Sequence, residues 1–211
     1  YEPDILRSAG GYIDFLGHIG FKSHSIEEVD LAHSSLAWAL AEKKGLPITL
    51  AVIFIELARR LGFDSFGINF PGHFLLSISG SLLDPASLSV LNRKTLSSKL
   101  EGTDLKVLDQ PASPAVVAMR MLNNIKNQHL QSNSLDLVLQ VLDYQEAVSS
   151  SHFEFKGQIH FERGETYGAL GRGESAQIQY ELALTCTDNP SLQELCRRRM
   201  EFFKGTSEVL H

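Results

Sequence analysis

His73 and Asp84 are among the side chains whose types suit proton chemistry. An imidazole titrates near neutrality and can accept a proton, and a carboxylate can hold the ring in one orientation. His73 follows the turn pair Pro71-Gly72, and Asp84 precedes Pro85. Their spacing argues against a simple pairing. With a hairpin turning at Ser79-Gly80-Ser81, Asp84 falls opposite Leu76 or Ser77, and His73 stands about 10 to 13 Å away at ~3.3 Å per residue. Contact would then require a bulge, a twist or a different turn.

Nucleophiles are poorly placed around this pair. At the helix that Pro47 opens, the hydroxyl nearest that proline is Thr49, two residues on, and a hydroxyl is a weak nucleophile without an aligned base. It reads as an exposed or back-bonded helix threonine. Cys186 and Cys196 stand ten apart in a helical segment late in the chain. That is neither a metal-ligand nor a disulfide spacing. They read as buried free thiols of a reducing, cytoplasmic compartment. His18, His24 and His33 keep no His-x-x-x-His spacing, and Glu27, Glu28 and Asp30 read as a charge cluster at a helix start. His152 and His160 could share a helix face, but 160 is a packing position. Gly62, Gly67 and Gly72 do not form a phosphate loop. No metal and no cofactor is expected.

The elements that must hold these residues follow from periodicity and breakers. Residues up to about 44 are mostly helical, interrupted by Gly10-Gly11, Gly17 and Gly20. Gly45-Leu46-Pro47 opens an unbroken, mostly apolar run from Ile48 to Arg60 that closes on Leu61-Gly62. Proline at the first turn and glycine past the end delimit a helix, and apolar residues all round place it inside a core. The runs 66–70, 73–79 and 82–84 read as strands of a small antiparallel sheet. Residues 86–114, with Pro111 and Pro114, read as a connector, so the boundary is set at 114. The first part, 1–114, is an α+β domain, and 115–211 is an all-α tail. The chain opens on Tyr1 rather than Met, which leaves room for an upstream signal or helical segment.

A tetratricopeptide register fits part of the tail. With Gly157 at position 1, Gly164 takes position 8, Tyr167 position 11, Gly171 position 15, Ala176 position 20, Tyr180 position 24 and Ala183 position 27. Small and aromatic residues at these places let two helices approach closely. A hairpin of about 116–130 and 134–148 precedes it, and a last helix near 192–203 follows.

The stretches Gly45-Leu46-Pro47-Ile48-Thr49-Leu50, Phe70-Pro71-Gly72-His73-Phe74-Leu75, Leu83-Asp84-Pro85 and Met121-Leu122-Asn123-Asn124-Ile125-Lys126 together resemble the bacterial SirB-type family. In that family a transglutaminase-like, papain-like core is joined to a tetratricopeptide-like tail. The resemblance implies a catalytic cysteine at the N-terminus of the buried helix, where the helix end stabilises thiolate, with histidine and aspartate from neighbouring strands. Aligned back from Leu61-Gly62 through Ala51 and Gly45, that position is Pro47. Proline carries no nucleophile. The resemblance therefore implies a relic site around His73 and Asp84, with Gly45, Pro47, Thr49, Asn69, Pro71, Gly72, Tyr167 and Tyr180 as binding residues.

A net charge of -6 and a pI near 5.7 disfavour an electrostatic grip on nucleic acid or anionic membrane. Arg197-Arg198-Arg199 reads as a solvated helix face. The apolar run 46–57 is too short to span a bilayer. The function expected is non-catalytic binding of a protein or peptide, with a regulatory role. The alternative is a hydrolase or transferase that uses His73 and Asp84 without a cysteine.

Overall fold

The structure is a computed structural model that describes residues 8–23, 30–94, 96, 105–149 and 153–208, without the side chains of 153, 154 and 204–208. His24, Glu27, Glu28 and His152 lie outside the described residues. The chain divides into two compact units, Tyr1–Met121 and Leu122–His211. The division falls inside a helix, Pro114–Gln131, that starts where the sequence suggests a connector ends.

In the first unit, α1 (Ala9–His18), α2 (Leu36–Glu42) and α3 (Pro47–Arg60) precede an antiparallel sheet. Its strands are β3 (Ser65–Phe70), β4 (His73–Ile78), β5 (Ser81–Asp84) and β6 (Ser89–Leu91), in that order. Two short segments, β1 (Lys22–Ser23) and β2 (Lys44–Gly45), pair in parallel just before α3. β6 and this bridge are absent from the sequence reading, because strands of two or three residues are too short to show an alternating pattern.

Pro47 sits at the start of α3, where its missing N–H costs nothing, and Leu50, Ala51, Phe54 and Ala58 are fully buried. α3 packs on one face of the sheet through Phe74, Leu76, Ile78 and Leu83, with Tyr12, Ile13 and Leu16 of α1 closing the core. Tyr12 donates its hydroxyl to the Phe54 carbonyl at 2.6 Å. The opposite sheet face, made of Ile68, Phe70, Leu75 and Leu82, packs under Leu108 of a 3-10 turn, Leu105–Asp109. One sheet thus has two buried faces, and alternation along β4 assigns each residue to one of them.

The first two hairpin turns of this sheet have readable chemistry. Phe70 pairs with His73 across Pro71-Gly72, and Gly72 has φ 74. Proline followed by a positive-φ glycine is the type II arrangement. Ser79 and Gly80 both have positive φ, 47 and 80, so the second turn is a two-residue type I′ loop.

The second unit contains α5 (Leu135–Val148), α6 (Phe153–Ala169), α7 (Gly173–Thr185) and α8 (Pro190–Glu208), after the last turns of α4 (Pro114–Gln131). α6 and α7 form a close hairpin. A Cβ at Gly164 would meet the Tyr180 ring at 2.5 Å, so glycine is required for this approach. Ala176, Tyr180, Ala183, Leu192 and Cys196 make the core of that hairpin and α8. Among the described residues, no helix is long and apolar enough to cross a membrane.

Candidate functional site

The N-terminus of α3 is the first place to look for chemistry. Leu46 caps it without a side-chain hydrogen bond, and Pro47 follows. Gly45 is buried, and a Cβ there would meet the Ala39 Cβ at 3.2 Å and the His33 carbonyl at 3.4 Å. Close packing therefore explains the glycine. Thr49 is neither exposed nor back-bonded, contrary to the sequence reading. It is 1% exposed, and its Oγ1 has no hydrogen-bond partner. Burial in a tight core overrides the usual preference of a helix threonine, and it also removes the hydroxyl from any substrate.

His73 and Asp84 come nearer to each other than the sequence count suggests, but they do not bond. The turn is two residues, Ser79-Gly80, so the register sets Leu76 against Leu83 and, one step on, Asp84 against Leu75. His73 is then a diagonal neighbour on the same face, about 7 to 8 Å away. No hydrogen bond joins the two among the described residues. The Asp84 carboxylate is used locally, accepting from the Ala86 N–H at 2.8 Å and the Ser87 hydroxyl at 2.8 Å. It organises the turn into β6. His73 is exposed at the hairpin tip. By alternation it shares the face of Leu75, whereas α3 packs on the face of Phe74 and Leu76. The imidazole therefore lies on the far side of the sheet from the helix that carries Pro47. A base and orienter are not assembled here.

Helix-facing polar groups at this end of the sheet are different ones. Asn69 pairs with Phe74 on the α3 face. Arg120 of α4 donates from Nη1 to Asn69 Oδ1 at 2.7 Å and to the Phe70 carbonyl at 3.3 Å, and its guanidinium stands 5.6 Å from the centre of the Phe74 ring. Burial pushes the Arg120 pKa below its ordinary value. Asn69 is among the residues expected from the sequence, whereas Arg120, immediately before Met121-Leu122-Asn123-Asn124-Ile125-Lys126, is not. The signal available was an arginine on the apolar face of α4, between Val117 and Met121.

The other singled-out residues divide by exposure. Pro71 and Gly72 are exposed beside His73, and Tyr167 is half-buried. Tyr180 is 1% exposed, donates its hydroxyl to Glu165 at 2.6 Å and has its pKa raised by burial and by that carboxylate. Gly45, Thr49 and Tyr180 are interior, so they shape surfaces and cannot touch a partner. His33 is buried, accepts the Asp30 N–H at 2.9 Å on Nδ1 and packs edge-on against Trp38. His160 lies 2.9 Å from Gln179 Oε1. Both histidines have structural surroundings. Among the described residues, no group of three His, Cys, Asp or Glu side chains could hold a metal ion.

A cavity of about 290 Å³ opens on the far face of the sheet, lined by Phe66, Ser77, Leu82, Leu91 and Leu108 with Arg93 and Asp109 at its rim. It includes none of Pro47, His73 and Asp84.

Comparison with known proteins gives consistent matches. The model of the transglutaminase-like superfamily matches residues 13–123. A UPF0162 protein of Pseudomonas aeruginosa is 30% identical over 185 residues, covering 83% of this chain and 67% of the relative. A UPF0162 protein of Xylella fastidiosa is 30% identical over 139 residues, covering 59% and 50%. One from Vibrio cholerae is 24% identical over 206 residues, covering 90% and 73%. The chain thus spans 67% and 50% of the length of the first two relatives. No solved structure matches.

Proposed function

We propose that this chain, which belongs to the transglutaminase-like superfamily, is a non-catalytic member that binds a protein or peptide. The observation that carries this reading is the α3 N-terminus, where Pro47 stands at the position the SirB-type resemblance assigns to the nucleophile. Proline has no group to attack an acyl carbon. The buried Thr49 hydroxyl and the tail cysteines offer no replacement. The exposed His73 and the turn-bound Asp84 leave no aligned base.

The finer kinship is part of the same proposal. We read the chain as SirB-type, regulatory and cytoplasmic, with a tetratricopeptide-like tail. The close fit of Gly164 against Tyr180, beside fully buried Ala176 and Ala183, supports the repeat register. Helical repeats of this kind hold peptides and helices on their stacked faces.

Two measurements on the full chain test the proposal. Wild type and His73→Ala are assayed for acyl transfer and hydrolysis on a glutamine peptide amide; neither is expected to exceed buffer. Photo-crosslinkers placed at Pro71 and at Tyr167 are expected to give specific adducts to one protein or peptide. Turnover by wild type that is lost in His73→Ala would refute the non-catalytic reading.

A further inference from the structure

Arg120 carries a positive charge into a partly buried place without receiving a negative one. Its Nη1 makes both hydrogen bonds, to Asn69 Oδ1 and the Phe70 carbonyl, and both acceptors are neutral. No carboxylate pairs with it among the described residues. Arg163, which is buried, shows the ordinary arrangement, with Glu146 at 2.7 Å and Asp143 at 2.9 Å. The direction of the Arg120 pKa shift fits, since burial lowers it with no acidic group opposing. A cation held against an aromatic face in such surroundings gains from a counter-ion more than an exposed one does.

The geometry of the occupied atom matters. With Nη1 committed to the hairpin, Nε–H and Nη2–H remain, and they lie on one edge of the planar guanidinium as a parallel two-donor fork. That fork matches the two oxygens of a carboxylate. Asn69 and the Phe70 carbonyl fix the plane of the group in advance, so little rotamer entropy is left to lose on binding. A single guanidinium balances one negative charge, which suits a carboxylate better than a dianionic phosphate.

We infer that Arg120, braced by Asn69 and the Phe70 carbonyl, is an anion-recognition residue whose Nε/Nη2 edge receives a carboxylate from the bound peptide. The carboxylate comes from the peptide's C-terminus or from an acidic side chain; both present the same two oxygens. This rests on the peptide-binding reading above and names the group that such a partner must offer. Asn69, exposed at the hairpin tip, is then a positioning residue.

The test follows the Arg120 Nε–Hε resonance in the ¹⁵N-labelled full chain, assigned by its loss in Arg120→Lys. Acetate, acetamide and inorganic phosphate are titrated at constant ionic strength. Acetate is expected to give a saturable shift and acetamide none. The backbone amides of Asn69 and Phe70 should report acetate binding weakened on the order of tenfold in Arg120→Lys, which keeps the charge and loses the fork. Asn69→Ala, which leaves the arginine in place, should weaken it less. Acetyl-Ala-Ala-Ala with a free C-terminus and acetyl-Ala-Glu-Ala-amide then separate the two sources, and tighter binding of either one than of acetate supports the peptide assignment. The inference is overturned by an unsaturable acetate response, by an equal shift with acetamide, by phosphate binding more tightly than acetate, or by both peptides binding more weakly than acetate. The titration needs no natural partner, so it can fail while the crosslinking result stands, and the reverse.

Discussion

At the scale of single residues, two polar side chains have structural roles where their types suggest chemistry. Thr49 keeps its hydroxyl in the core with no acceptor or donor in reach. Leaving such a group unsatisfied costs about 1 to 3 kcal/mol. Thr49→Val is therefore expected to raise stability to denaturant by up to about 1 kcal/mol. A loss of that size instead would show that the hydroxyl has a partner. Asp84 bonds the Ala86 N–H and the Ser87 hydroxyl. Asp84→Ala should cost about 1 to 2 kcal/mol by releasing that turn, whereas His73→Ala, at an exposed tip, should stay within about 0.5 kcal/mol. Equal effects of the two substitutions would argue for a coupled pair. The residue types at 73 and 84 were legible in the sequence. Their separation was not, because a two-residue instead of a three-residue turn moves the partner of Asp84 by one position.

At the scale of elements, the second unit is held by a buried polar network as well as by apolar packing. Lys126 of α4, 5% exposed, pairs with Glu162 of α6 and also donates to Asn123 Oδ1 at 2.8 Å and Gln145 Oε1 at 3.4 Å. Gln145 of α5, fully buried, donates to Asn123 at 2.7 Å. Three helices meet on this network. Glu162→Gln leaves the buried ammonium without its counter-charge and is expected to cost about 2 to 3 kcal/mol, somewhat below a fully buried pair because Glu162 is part-exposed. The double substitution Lys126→Met with Glu162→Leu should return most of that loss in urea unfolding. If it does not, the network contributes more than pairwise charge compensation. The sequence marked Asn123 and Lys126 as part of a recognisable stretch, but nothing in one dimension says that Glu162 and Gln145 are their partners.

At the scale of the whole molecule, the two units have separate cores and separate reporters. Trp38 lies in the first unit, and both cysteines lie in the second. Cys196 is fully buried and its thiol pKa is raised by that burial, while Cys186 is part-exposed. A thiol held above its ordinary pKa carries less reactive thiolate at neutral pH. One thiol per chain should therefore react quickly with a maleimide under native conditions, and the second only as the second unit opens. Rapid reaction of both would contradict the packed core around Tyr180.

Much of this architecture was determined by sequence alone: α3 by Pro47 and Leu61-Gly62, the sheet by its turn residues, and the α6–α7 hairpin by Gly164, Tyr180 and Ala183. Those are local rules, because propensity, periodicity and turn chemistry act over a few residues. The tertiary structure alone decided that His73 and Asp84 lie on the sheet face away from α3, that Thr49 is sealed in the core, and that Arg120 reaches the hairpin. Each of these depends on register or on contacts across dozens of positions, where one residue of offset turns a side chain to the opposite face.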